Sequence, residues 1–275
     1  MIELSQVTKM YGAKRAVDQL DLKVGAGELF AFLGPNGAGK TTTIKMICGL
    51  LRPTSGTVRV GGYPAASPEA RQLIAYVPDS PFLYDKLTGR EFLRFVIEMY
   101  GLDLREGIRK IDHLVEVFEM GEYVDELCEN YSHGMKQRVV FASALVHDPK
   151  VLIVDEPLVG LDPRSARIVK DLFLAQARSG VAVLMSTHLL SIAEELADTI
   201  GIIDSGRMLT QGTLGQLREA ASMHGPLEDL FLKVTGGDRP ILANGNVFGG
   251  DLENTFAPSL ADSTAGDEPS RAEPA

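Results

Sequence analysis

Apolar residues recur along this chain of 275 residues with two different periods, and the changes of period divide it. Leu20, Leu22 and Val24 alternate with polar neighbours before Gly25-Ala26-Gly27 breaks the run, the pattern of a half-buried strand. Leu29 to Leu33 is apolar at every position and bounded by glycines, which predicts a strand buried on both faces of a sheet covered by helices. Ile44, Ile47, Cys48 and Leu51 are spaced by three and four, which predicts a helix from about Thr41 to Leu51, packed on that sheet. A glycine-rich loop joins this strand to this helix.

From Thr88 the period is helical. Thr88 and Glu91 have the spacing of a capping box, and Phe92, Phe95, Val96 and Met99 form an apolar stripe at i, i+3, i+4, i+7. Ile111, Leu114, Val115 and Phe118 repeat that spacing, so a helical subdomain of about residues 85–148 reads as an insertion into an α/β domain. Val151–Val154 and Val181–Met185 then predict buried parallel strands, separated by a helix carrying Ile168, Val169 and Leu172. Asp204-Ser205-Gly206 between two apolar runs predicts a hairpin over Ile200–Leu209, and Leu227–Val234 a closing helix. The expected organisation is one domain over 1–235 and an acidic, Pro/Ala/Ser-rich tail over 236–275, which lacks the apolar residues to offset its ordering entropy and is expected to be disordered.

Composition narrows the class. Hydrophobic residues are 45% and charged residues 23%, ordinary for a globular protein. No apolar run approaches the roughly 18 residues that span a bilayer, and Met1–Gly12 lacks the order of a signal peptide. The expected location is cytoplasmic, with any membrane association made through a partner. Cys48 and Cys128 form no metal-ligand spacing and read as reduced, buried residues. A net charge of −10, half of it in the last forty residues, argues against a nucleic-acid partner.

The chemistry is concentrated in three places. Gly34-Pro35-Asn36-Gly37-Ala38-Gly39-Lys40-Thr41, followed by Thr42, fits G-x-x-x-x-G-K-[ST] between a buried strand and a helix. There backbone N–H groups and the helix N-terminus attract phosphate oxygens, Lys40 reaches the β and γ positions, and the Thr41 hydroxyl can hold Mg²⁺. Val151–Val154 ends in Asp155 and Glu156, at the strand end where α/β sheets bind ligands. Asp155 suits a magnesium ion held through water, and Glu156 suits accepting a proton from an attacking water or orienting it. His188 follows the next apolar run and can hydrogen-bond near the γ-phosphate.

With these elements in this order, residues 2 to about 235 resemble the nucleotide-binding subunit of an ATP-binding cassette (ABC) transporter, in particular the bacterial single-cassette subunits that serve separate export permeases. The resemblance implies a P-loop NTPase fold: a mixed, largely parallel central sheet, an N-terminal antiparallel β-subdomain and a helical signature subdomain. It implies that Tyr11 stacks on adenine and that Asp162, in Gly160-Leu161-Asp162, communicates across a dimer. It places Ser132 and Gly134 of Tyr131–Arg138 in the signature that contacts the nucleotide held by the second protomer. Three positions depart from the family pattern. His133 replaces the first signature glycine, Met135 the glutamine, and Asp79 the Q-loop glutamine, where a carboxylate can still ligate magnesium.

The implied function is an ATPase whose catalytic residues are Lys40, Glu156 and His188. Two copies, or one copy and a homologue, close around two ATP and two Mg²⁺ and drive an integral membrane permease, export being favoured over import. Two other readings are a soluble cassette ATPase of DNA repair or translation and a non-hydrolytic ATP-binding switch. The first lacks its expected paired cassettes or coiled coil, and Glu156 with His188 argues against the second.

Overall fold

The computed structural model describes residues 1–222 and 225–236; the tail reading lies outside them, apart from Gly236. The N-terminal half opens with β1 (Ile2–Tyr11), β2 (Lys14–Val24), β3 (Leu29–Leu33), α1 (Lys40–Ile47), β4 (Ser55–Val60), β5 (Tyr63–Pro64), α2 (Pro68–Leu73) and β6 (Ile74–Val77). The helices α3 (Gly89–Met99), α4 (Leu104–Val117) and α5 (His133–Leu145) follow. The chain then runs through β7 (Val151–Asp155), α6 (Pro163–Arg178), β8 (Ala182–Thr187), α7 (Leu190–Leu196), β9 (Thr199–Asp204), β10 (Arg207–Gly212), α8 (Leu214–Ala220) and α9 (Leu227–Val234). Among the described residues, no helix is long and apolar enough to cross a membrane.

Two sheets organise these elements. One is antiparallel, in the order β2-β1-β4-β5. The other has the order β10-β9-β3-β8-β7-β6 and is parallel except for its β9–β10 hairpin. All five residues of β3 are buried, and the alternation of side chains across a strand sends them to different cores. Leu29, Ala31 and Leu33 pack with the helices, whereas Phe30 and Phe32 pack with α1 and the antiparallel sheet. The sheet is therefore a partition covered on both sides, as its unbroken apolar run requires.

Helix α3 starts where its sequence signal lies: Thr88 accepts from the Glu91 N–H, and the Glu91 carboxylate accepts from the Thr88 N–H. Only half of the stripe that marks it in the sequence meets the core, Phe92 and Val96 packing against its margin. Gly89, Leu93 and Ile97 are buried, while Phe95 is 39% and Met99 66% exposed. Close approach of α4 selects the buried face, because Gly107 rests on the Ile97 side chain with no room for a Cβ. Helix α1 is also shorter than its apolar spacing predicts, ending at Ile47 with Cys48 as C-cap and Gly49 at φ 69°.

Candidate functional site: a phosphate loop facing two carboxylates

Parallel pairing sets the site. Leu33 lies beside Thr187, and Asp155 beside Ser186, so β3, β7 and β8 deliver the glycine loop, Asp155-Glu156 and His188 to one edge of the sheet. The loop that leaves β3 is tightly enclosed. A Cβ on Gly34 would run into the Ile203 carbonyl, and one on Gly39, at φ 109°, would meet the Ala16 carbonyl at 2.6 Å. The Gly206 N–H donates to the Ala38 carbonyl at 2.9 Å, fixing the loop on the β9–β10 turn. Gly39 is the N-cap of α1, so the free N–H groups of that helix open beside Lys40 and Thr41.

These residues line a cleft of about 730 Å³. Its floor is Pro35, Asn36, Gly37, Gly39, Lys40, Thr41 and Thr42, and its acidic wall is Asp79, Asp155 and Glu156. Tyr11, Lys14, Arg15, Ala16 and Ser205 complete its lining. Lys40 is 7% exposed, and its ammonium donates to the Gly34 carbonyl at 2.6 Å and to that of Pro35 at 3.3 Å. Burial holds its pKa below the usual lysine value, partly countered by the charges of Glu156 and Asp155.

The Thr41 hydroxyl donates to Asp155 Oδ2 at 3.1 Å, and the buried Ser186 hydroxyl donates to Oδ1. Glu156 adopts a left-handed backbone at φ 50°, its N–H donating to the Ser186 carbonyl at 3.1 Å. Its Oε2 lies 2.9 Å from His188 Nδ1. Because a carboxylate only accepts, this ring nitrogen carries the proton, and Oε1 has no partner among the described residues.

Several residues singled out in the sequence stand outside this cleft. Gly34 and Ala38 support the loop from behind, and His188 reaches the cleft through Glu156. Ser132 caps α5, accepting from the Met135 N–H, and Gly134 lies in the first turn of that helix. Asp162 caps α6, accepting from the Arg164 and Ser165 N–H groups and from the Ser165 hydroxyl, which holds its carboxyl below the usual range. His133 sits against the turn before Asp162, with its ring 3.6 Å from the Cβ position of Gly160. Lys14, Arg15, Ala16 and Ser205 are the lining residues that sequence reasoning missed. They lie at the start of β2 and on the β9–β10 turn, which only long-range pairing brings to the loop, and no local motif marks them.

Comparison with known proteins gives this constellation its class. Residues 17–159 match the family described as ABC transporter. The daunorubicin/doxorubicin resistance ATP-binding protein DrrA of Streptomyces peucetius is 41% identical over 221 residues, 80% of this chain and 67% of that protein. Among solved structures, an ATP-binding subunit of an ABC transporter superposes with a TM-score of 0.82 at 34% identity, over 86% of this chain and 99% of that one. A dimeric bacterial ABC transporter cassette, MJ0796, does so with a TM-score of 0.71 at 25% identity, over 78% and 99%.

The fold and the site thus define a phosphate-loop ATPase, and the chain belongs to the ABC transporter family. Within it, this is an ATP-binding and ATP-hydrolysing subunit.

Proposed function

We propose that this chain is the cytoplasmic motor of an exporter, held at the inner face of the membrane by a separate permease. Two copies, or one copy and a homologue, close around two ATP. The observation that carries this reading is a division of parts. Lys40, Thr41, Asp155 and Glu156 converge on one cleft, while Ser132 and Gly134, at the open start of a 13-residue helix, do not line it. A second chain is needed to bring such a helix end to the phosphates. The likeness to a cassette described as dimeric supports this, and so does a relative named for drug resistance.

In this reading Tyr11 offers its ring to adenine, the N–H groups of Asn36, Gly37 and 39–42 hold the phosphates, and Lys40 exchanges its loop carbonyls for β and γ oxygens. Glu156 Oε1 accepts the proton of the attacking water while His188 fixes the carboxylate through Oε2. A hydroxyl and carboxylates are the hard oxygen donors that suit Mg²⁺, which keeps several waters. Thr41 and Asp155, already within hydrogen-bond reach of each other, would hold it, with Asp79 on the same cleft wall. When bound, the ion supplies charge neutralisation at the β and γ oxygens.

A permease also finds a surface. Phe82, Tyr84, Phe95 and Met99 are exposed, and the Tyr84 ring lies 5.7 Å from Phe82 and 5.9 Å from Phe95 in edge contacts. An apolar group of this kind, just after Asp79, fits a cytoplasmic loop of a membrane subunit.

Glu156→Gln is expected to keep ATP binding, to lower turnover at least about 100-fold, and to accumulate an ATP-dependent dimer. Light scattering that finds only monomer with ATP and Mg²⁺ would overturn the sandwich. Lys40→Ala is expected to abolish hydrolysis, and undiminished turnover in that variant would sink the assignment of the loop.

A further inference from the structure

The nucleotide cleft has a cationic wall that the phosphate loop does not supply. Tyr11 and Lys14 pair across the β1–β2 turn, and Met10 pairs with Arg15. At the next residue the Ala16 carbonyl is packed against Gly39 of the loop. Residues 14–16 therefore run from the strand partner of Tyr11 to the phosphate loop, and all three line the cleft together with Tyr11 and Lys40. A nucleotide with its base at Tyr11 and its terminal phosphates at Lys40 lays its ribose and first phosphates along this stretch.

Arg15 is the fixed cation there. Its Nη1 donates to Asp18 Oδ1 at 2.9 Å, which leaves donors to spare on a half-exposed guanidinium whose residue lines the cleft. Asp18 is 6% exposed and does not move freely. Arg207 Nε and Nη2 donate to its Oδ2 at 2.7 and 2.6 Å, and its N–H donates to the Gly206 carbonyl at 2.8 Å. Gly206 in turn donates to Ala38 of the loop. Lys14 lines the same wall but makes no ion pair among the described residues. A guanidinium oriented before the ligand arrives loses less freedom on binding, and its fork suits phosphate oxygens.

We propose that Arg15 binds the sugar–phosphate segment common to ATP and ADP, with Asp18, braced by Arg207, as its positioning residue. This rests on the ATP-binding reading of the cleft. It goes beyond that reading by adding a contact made before the γ-phosphate and kept after hydrolysis, so it acts on substrate and product alike.

The test is displacement of a fluorescent ATP analogue from the full chain by ATP and by ADP, in Mg²⁺ buffer, with a melting curve for each variant. Arg15→Ala is expected to weaken ATP and ADP by the same factor, about tenfold for one charge-assisted phosphate contact. Arg15→Lys recovers part of that loss. Asp18→Asn weakens both nucleotides with Arg15 present and changes neither by more than about twofold in an Arg15→Ala background, as expected when one residue acts through the other.

Native affinity for both nucleotides in Arg15→Ala would overturn the proposal. Loss confined to ATP would also overturn it, by moving Arg15 to the γ end. A full Asp18 effect in the absence of Arg15 would remove the positioning role. Arg15 is a half-exposed residue of β2, so its variants keep the proposal testable even where Asp18→Asn fails to fold. If Lys40→Ala and Arg15→Ala both bound nucleotide normally, the cleft assignment itself would fail; normal binding in Arg15→Ala alone would sink only this inference.

Discussion

Asp18 is a single carboxylate between two guanidinium groups, and its charge has a measurable consequence. Hydrogen bonds from Arg207 first, opposed by burial and helped by Arg15, hold its pKa below the ordinary 3.8. A carboxyl depressed in the folded state stabilises the fold above its unfolded pKa, and that stabilisation fades as pH falls through the folded value. The melting temperatures of native protein and Asp18→Asn are therefore expected to differ at neutral pH and to converge as pH drops below 3.8. A constant gap across that range would show that the substitution acts through packing instead. At this scale the sequence is most legible where chemistry is local. Gly34 to Thr41 is contiguous, and strand, loop and helix stand in order around it. Arg15 and Ser205 were illegible because their place in the cleft depends on β1–β2 register and on a hairpin nearly 200 residues away.

Among the elements, α3 shows what periodicity can and cannot report. Its start is written in four residues, and Thr88→Ala is expected to cost about 1 kcal/mol in a denaturant melt. Its orientation is not written there, because an apolar stripe reads the same whether it meets a core or an outside partner. The structure decides through Gly107 of α4, which admits Ile97. Helix α5 depends on a similarly nonlocal tie. The Tyr131 hydroxyl, just before its cap, shares its one proton between the Tyr123 and Glu126 carbonyls, at 2.8 and 3.1 Å, and accepts from the Gly89 N–H at 3.0 Å. Tyr131→Phe keeps the ring and strands a buried N–H, so a loss of about 1–3 kcal/mol in thermal or denaturant unfolding is expected. A variant as stable as the native protein would mean that water replaces the hydroxyl.

For the whole molecule, the exposed aromatic group and the partitioned core lead to different expectations. Phe82→Ser with Phe95→Ser leaves the buried residues of α3 untouched and is expected to abolish co-purification of a polytopic membrane protein while nucleotide affinity stays native. Unchanged co-purification would move the permease contact elsewhere. The central sheet has a further consequence, in the order of synthesis. β3 is buried at all five positions, yet both of its neighbours, β8 and β9, come about 150 residues later. At 5–20 residues per second, a ribosome needs about 8 to 30 s to make that stretch. Throughout that time the nascent chain carries a finished phosphate-loop strand with nothing to pair against. Chains stalled before residue 180 should be cleaved readily by protease near Leu29–Leu33, and those stalled well beyond residue 204 should be protected, which makes this strand a natural place for a chaperone to hold the growing polypeptide.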